Sequence, residues 1–335
     1  MKTAVGQPLK KQRAYYLQVG YFFLGVIILL SLFVWATQKI DYVWRWYKMP
    51  QYFFQEKTIE VKAGIPGTVK SITEKGEDLV VVLEGEEETR SYTIPEGEVR
   101  VYEGDMMFPG DTLGTYTEWG IGLLTHGLWL TLQISLYSSL LGIIIGLFGG
   151  IARISSNFAL KWAAITYVEI IRGSPLLVQI FIWYFVLATI INELLLTYGF
   201  KEIAAMWYGV AALATFAGAY VTEIVRSGIE SIHRGQIEAS RSLGMTSAQC
   251  MIHVVLPQAI RRILPPLAGQ FITLVKDSSL LGIIAIRELT KATREGIASS
   301  LQPYELWFIC AILYLVLTFT LSMFVQYLER RMGHP

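Results

Sequence analysis

The chain has 335 residues, of which 53% are apolar and only 16% charged, with a formal net charge of +1. A mean hydropathy of +0.45 is too high for an ordinary soluble domain, and the near-neutral charge excludes bulk electrostatic attraction to nucleic acid. Cys250 and Cys310 lie in separate apolar runs without metal-ligand spacing, so neither a disulfide framework nor a zinc site is expected.

A membrane-crossing helix needs about 20 mostly apolar residues. Residues 1–15 carry Lys10, Lys11 and Arg13 and read as a cytoplasmic N-terminus. The apolar run 16–37 is long and no small-x-small cleavage site follows it, so it reads as a retained transmembrane helix rather than a signal peptide. Residues 38–54 are rich in Tyr and Trp, as an interfacial segment at headgroup level would be.

Residues 55–117 are the one clearly water-soluble stretch. Runs such as Leu79-Val80-Val81-Val82-Leu83 are β-branched or alternating and are punctuated by Gly64, Pro66, Gly67, Gly76, Gly85, Pro95 and Gly97. This predicts a small β-barrel or sandwich. Gly64 with Lys70-Ser71 only approaches a phosphate loop, because Val69 stands where the second glycine must be.

From residue 118 the chain is built of five further apolar windows, at 123–151, 162–191, 206–225, 259–275 and 306–327. The expected class is therefore an all-α polytopic membrane protein of about six transmembrane helices, with the β-rich module inserted after the first. With the N-terminus inside, Arg153, Lys161, Arg226, Arg234, Arg241, Arg261, Arg262, Arg330 and Arg331 also fall inside, as the positive-inside bias requires. Both termini are then cytoplasmic and the β module is extracytoplasmic.

No catalytic constellation is legible: His126, His233, His253 and His334 are scattered, and no carboxylate pair or nucleophile triad converges. Ser135, Ser138, Ser139, Gly142, Gly146, Gly149 and Gly150 are small residues on one span, which favours close helix packing. In the next window Glu169 and Arg172 are three apart, so they share a helix face and can pair as a structural ion pair. Ser174-Pro175 follows, and proline removes a backbone donor and disfavours helix at the preceding residue. A loosened helix at membrane depth must be buried by protein or line a water-filled cavity. Ser174, Pro175 and Gln179 are thus either part of a packing kink or the wall of a substrate path.

A polar loop at about 228–258 interrupts the apolar pattern. Gly235-Gln236-Ile237-Glu238-Ala239-Ser240-Arg241-Ser242-Leu243-Gly244 reads as a short glycine-terminated helix, followed by Val254-Val255-Leu256-Pro257. A second polar island, Lys276-Asp277-Ser278-Ser279, closes the fifth span. Ionisable groups at that depth are costly, so Asp277, Ser278 and Ser279 either mark the membrane boundary or face a zwitterionic solute.

Taken together, these residues resemble the permease subunit of a bacterial ABC importer of the polar amino acid uptake family. The family signature is Glu-Ala-Ala, three residues, Gly, nine residues, an aliphatic, one residue, Leu-Pro. Here it stands as Glu238-Ala239-Ser240, Gly244, Val254 and Leu256-Pro257, with serine for the second alanine. Further matches are Tyr167-Val168-Glu169, Arg172-Gly173-Ser174-Pro175-Leu176-Leu177-Val178-Gln179, Leu264-Pro265-Pro266, Lys276-Asp277-Ser278-Ser279-Leu280 and Glu288-Leu289. The resemblance spans about 120–331.

The resemblance implies a five-helix permease core at 118–335 in the bacterial cytoplasmic (inner) membrane, without enzymatic activity or bound cofactor of its own. ATP and Mg would be used by a separate cytoplasmic ABC ATPase dimer docked on Gln236, Glu238, Ala239, Ser240, Arg241 and Gly244. It also implies an extracytoplasmic solute-binding protein that delivers a polar amino acid. A second permease chain is expected, identical or paralogous, because two ATPases need two docking loops. Ser174, Pro175, Gln179, Asp277, Ser278 and Ser279 become substrate-path residues, and membrane lipid is the remaining partner. Ser174 stands where threonine is commoner, and Ala268-Gly269 where an asparagine is often seen. Residues 1–117 lie outside the resemblance. The alternative is an ion-coupled secondary transporter or channel for small zwitterionic solutes, for which inverted repeats would speak; none is evident.

Overall fold

The computed structural model describes residues 9–86 and 88–331; the start of the expected 1–15 segment and His334 lie outside the described residues. The chain divides into two compact units between Tyr47 and Lys48. The first contains α1 (Leu9–Lys39), a 31-residue helix that exposes large apolar side chains all round, from Tyr21 and Phe22 to Val34 and Trp35. An all-round apolar helix is what a lipid-facing span requires. Asp41 turns the chain out of the helix with φ 50°, and Trp44 stacks on Trp46 at 5.4 Å.

The second unit begins with a β region of two sheets. One has the order β1-β7-β5 and the other β4-β3-β2-β6. The strands are β1 (Phe54–Lys62), β2 (Gly67–Lys75), β3 (Asp78–Glu84), β4 (Thr89–Pro95), β5 (Glu98–Val99), β6 (Met106–Met107) and β7 (Thr112–Ile121). Alternation along them turns Val69, Val81, Leu83, Ile94 and Leu113 into one shared core. The last strand runs to Ile121, beyond the boundary expected near 117. Glu118, Trp119, Gly120 and Ile121 keep pairing with Lys57, Glu56, Gln55 and Phe54, so the ladder ends only where the next helix starts.

The helical part comprises α2 (Leu123–Ile154), α3 (Phe158–Gly173), α4 (Leu176–Phe181), α5 (Ala188–Thr197), α6 (Ala205–Glu230), α7 (Arg234–Ser242), α8 (Ser247–Cys250), α9 (Leu256–Asp277), α10 (Leu289–Ser300) and α11 (Pro303–Arg331). A π-helical segment, Ile182–Leu187, joins α4 to α5, and another, Met251–Val255, joins α8 to α9. Among the described residues, six helices, continuous or compound, are long and apolar enough to cross a membrane: Tyr15–Lys39, Leu123–Ile154, Leu176–Thr197, Ala205–Glu230, Ser247–Ile284 and Pro303–Tyr327. The window expected at 162–191 is not one continuous helix, since it breaks at Ser174.

Helix α6 is the most buried of these spans and lies against α2. The contact depends on the small-residue stripe. A Cβ added at Gly146 would sit 2.3 Å from Val221, and one at Gly150 2.5 Å from Val225. Ser138 Oγ donates to the Val210 carbonyl at 3.3 Å across the same seam. At the other end of the bundle, Leu124, Leu289, Leu306 and Tyr52 form a cluster that joins α2, α10 and α11 to the foot of the β region.

Candidate functional site

The polar loop folds as a short helix held at both ends. His233 Nδ1 accepts from the Gly235 N–H at 3.1 Å at the N-terminus of α7. At the C-terminus the Gly244 N–H donates to the Arg241 carbonyl and the Met245 N–H to the Ser240 carbonyl, a Schellman pattern. That pattern needs a left-handed residue just past the helix, and Gly244 supplies it with φ +82°. Thr246 and Gln249 then close a reciprocal capping box on α8.

The helix has one anchored face and one free face. Ser240 is buried, and its hydroxyl donates to the Ile237 carbonyl and to Cys250 Sγ, both at 2.8 Å. Arg241 reaches back to Ser247 Oγ at 2.9 Å. Gln236, Glu238, Ala239 and Gly244 are exposed. Ser240, expected among the ATPase-docking residues, instead faces inward, because its i+10 neighbour Cys250 folds under the helix and covers it. Leu243 is 84% exposed and was not singled out from the sequence. Its signal is an apolar residue at the helix C-cap that finds no core to enter.

The base of the loop is fastened by charge. Glu223 lies 3.0 Å from Arg153 Nε on α2 and 3.0 Å from Arg226 Nη2 on its own helix, and Arg226 also pairs with Glu230. Arg262 on α9 donates to Ser231 Oγ at 2.9 Å and to the Ser231 carbonyl. The ends of α2, α6 and α9 that flank the loop are thereby tied together.

The second region is formed by two helix breaks. Ser174 is extended (φ −118°, ψ 147°) and Pro175 opens α4, where proline chemistry predicts the loosening. Of its two expected readings, Gln179 takes the first and packs into the kink. It is buried, and Nε2 donates to the Ile171 carbonyl at 2.7 Å, to Ser174 Oγ at 2.9 Å and to the Ser174 carbonyl at 3.2 Å. Its Oε1 is buried without a hydrogen-bond partner among the described residues. The break frees carbonyls at membrane depth, and the nearest amide satisfies them.

Glu169 and Arg172 do not form the expected ion pair. Both are exposed, and the Arg172 guanidinium instead lies over the Tyr220 ring of α6, 5.2 Å from its centroid. An exposed ion pair is worth little, so a cation–π contact available on the neighbouring helix competes with it successfully.

At the other break α9 gives way to a 3-10 helix, Ser278–Ile284. Ser278 is fully buried and donates to the Val275 carbonyl at 2.8 Å. Ser279 is half-buried. Asp277 is half-buried and has no hydrogen bond or ion pair among the described residues. Ile180 of α4 shares a core with Leu274 of α9 and Leu281 of the 3-10 helix, so the structure brings the two breaks to one region. The exposed loop helix is a separate region of the sequence, 234–244.

The family described as "binding-protein-dependent transport system inner membrane component" matches residues 138–334. The glutamine transport system permease protein of Escherichia coli K12 is 38% identical over 212 residues, which is 63% of this chain and 94% of that protein. The L-cystine transport system permease protein of Bacillus subtilis is 36% identical over 231 residues, or 67% of this chain and 95% of its own length. Among solved structures, an amino acid ABC transporter with histidines superposes with a TM-score of 0.56 at 38% identity, covering 62% of this chain and 94% of that one. The inward-facing MetNI methionine ABC transporter shares the fold at 22% identity, with a TM-score of 0.53 and 63% of this chain and 97% of that one covered.

Proposed function

This chain belongs to the family of binding-protein-dependent transport system inner membrane components, and from that premise we propose that it is the permease subunit of an ATP-driven importer of a polar amino acid. Its relatives named for glutamine and cystine transport support an amino acid as the cargo. The observation that carries the mechanism is the two-faced helix α7. Ser240 is locked to Cys250 beneath it, while Glu238 and Leu243 stand free above.

A partner that grips the free face can move α7 only by moving Cys250 and the start of α9 with it. ATP binding and hydrolysis belong to that partner, a cytoplasmic ABC ATPase dimer that uses ATP and Mg; this chain contributes the docking surface, Gln236, Glu238, Ala239, Arg241 and Gly244. The push passes through the Arg153–Glu223–Arg226 ties to α2 and α6 and along α9 to the break at Asp277. Alternating access then amounts to opening the region between the Ser174-Pro175 break and the Asp277–Ser279 break to one side or the other. Asp277, half-buried and unpaired among the described residues, is suited to the ammonium group of an amino acid. Ser174, Pro175, Ser278 and Ser279 frame the same path.

The arginines and lysines of the loops favour cytoplasmic termini in the inner membrane. In that orientation residues 54–121 lie on the extracytoplasmic side. A solute-binding protein on that side delivers the cargo, and two permease chains supply two docking loops. Reconstitution with the ATPase and binding protein tests the reading: uptake should require both partners and ATP. Uptake by the permease alone, driven by an ion gradient, would replace it with the secondary-transporter alternative.

A further inference from the structure

The β region stands outside the family match, and its attachment to the helices has an unusual chemistry. Strands β1 and β7 form a two-stranded ribbon whose last rungs pair Phe54 with Ile121 and Glu56 with Trp119. Residues directly opposed in an antiparallel pair point to the same face, and so do residues two apart on one strand. Phe54, Trp119 and Ile121 therefore share a face, and they are 63%, 71% and 56% exposed; Glu56, opposite Trp119, is the one charged side chain among them. The opposite face of the same rungs is polar, with Gln55, Lys57 and Glu118. Farther along the apolar face the pairs become Thr58 with Thr117 and Glu60 with Thr115. The large exposed apolar residues of this face are thus confined to the rungs next to α2.

That end of the ribbon is bolted to the first turn of a membrane helix. The Gly122 N–H donates to the Phe53 carbonyl at 2.7 Å, and Thr125 Oγ donates to the same oxygen at 3.0 Å. A Cβ at Gly122 would lie 2.4 Å from the Tyr52 carbonyl oxygen, so the chain closes there with no slack. Strand rise of about 3.3 Å per residue puts Ile121 within roughly 7 Å and Trp119 within roughly 13 Å of Leu123. The headgroup layer is itself about 5–8 Å deep on each side of the hydrocarbon, so a ribbon leaning onto this face sets all three side chains into it. Beside the face opens a cleft of about 980 Å³, where Phe54 and Trp119 meet Lys48, Glu56, Ser299 and Ser300. Aromatic rings flanked by polar and charged groups, Lys48 and Glu56 among them, match the headgroup level, where amphipathic side chains concentrate.

We propose that Phe54, Trp119 and Ile121 form a lipid-docking face that seats the β module on the leaflet at which α2 and α11 begin. Leu301, 84% exposed in the turn before α11, lies beside Ser300 and Gln302 of the cleft and extends the apolar level. The module is then held at a fixed tilt over the membrane by its ribbon rather than projecting freely from it. This holds whichever side of the membrane the module occupies, and it does not depend on the identity of the cargo.

The test is site-directed spin labelling of the full chain in phospholipid nanodiscs. Cys250 and Cys310 are buried, so a label goes to an introduced exposed cysteine. Trp119→Cys and Glu118→Cys place the label on opposite faces of the ribbon at the same height, and Phe54→Cys with Gln55→Cys repeat the comparison on the other strand. The expected result is that labels at 119 and 54 collide several-fold more with oxygen, relative to a water-soluble nickel chelate, than labels at 118 and 55. Equal access to the nickel chelate on both faces would mean a water-exposed ribbon and overturns the proposal. Shielding of 119 and 54 from both reagents would mean a protein occupant and also overturns it. Agreement between the two strands guards against one substitution having disturbed the fold.

Discussion

Ser240 Oγ donates a hydrogen bond to Cys250 Sγ at 2.8 Å, ten residues along the chain and across the turn made by Gly244. The bond makes α7, α8 and the start of α9 one mechanical piece, and it fixes which face of α7 remains free.

Replacing Ser240 by leucine should overpack this joint, at about 1–3 kcal/mol, and lower both the melting temperature and ATP-driven uptake. Ser240→Ala removes the hydrogen bond, about 1 kcal/mol, but keeps the close packing, and should lower uptake by less than leucine does. Differential scanning fluorimetry and a reconstituted uptake assay measure the two effects. Equal tolerance of leucine and alanine would mean the joint is not rigid.

Glu238 is exposed and its side chain makes no ion pair among the described residues, so Glu238→Lys should change stability by no more than about 0.5 kcal/mol. Uptake should nevertheless fall by an order of magnitude or more, because a charge is reversed at the proposed ATPase docking face. Co-purification of the ATPase with the variant reads the docking step directly. Leu243→Asp should behave in the same way.

Gln179 spends its amide donors on the Ile171 carbonyl and on Ser174. Gln179→Leu should strand the Ile171 carbonyl at a cost of about 1–3 kcal/mol, seen as a lower melting temperature. Gln179→Glu should be no better, since an ionised carboxylate has no donor to give to that carbonyl.

Gly146 has no room for a side chain beside Val221. Gly146→Leu should cost upwards of about 1–3 kcal/mol by forcing α2 and α6 apart, whereas Ala at the open position Gly173 meets nothing within 4 Å and should be tolerated. Thermal denaturation in detergent separates the two.

Glu288 is fully buried in the connector before α10, where it accepts from the Thr290 and Lys291 N–H groups and from Tyr314 Oη. Burial raises its carboxyl above the ordinary glutamate value, with those hydrogen bonds opposing the shift. A raised carboxyl means that folding favours the protonated form. Its stabilising contribution is therefore full below the unfolded value and disappears as pH rises through the folded one. Melting temperature measured across that window should fall more with pH in the parent than in Glu288→Gln, which cannot ionise. Parallel slopes for the two proteins would contradict this.

Local chemistry made much of the protein readable from its sequence. The six apolar runs, the break at Ser174-Pro175, the glycine stripe of α2, the β-rich region and the glycine-terminated helix before Gly244 each follow from hydropathy, periodicity or a single backbone constraint within a few residues. Boundaries were less legible: β7 runs to Ile121 because its partner strand begins at Phe54, a pairing over more than fifty residues that no local window contains.

Side-chain partners were decided only by the tertiary structure. Arg172 lies over Tyr220 rather than pairing with Glu169, Ser240 turns inward onto Cys250, and Gln179 mends its own helix break. Sequence alone determined how many apolar runs can cross a membrane and where the helix at Ser174-Pro175 must yield, because lipid and proline act on each segment separately. Which faces of those segments are spent on packing and which stay free for a partner depended on neighbours distant in sequence, since burial and hydrogen bonding are settled only when the helices meet.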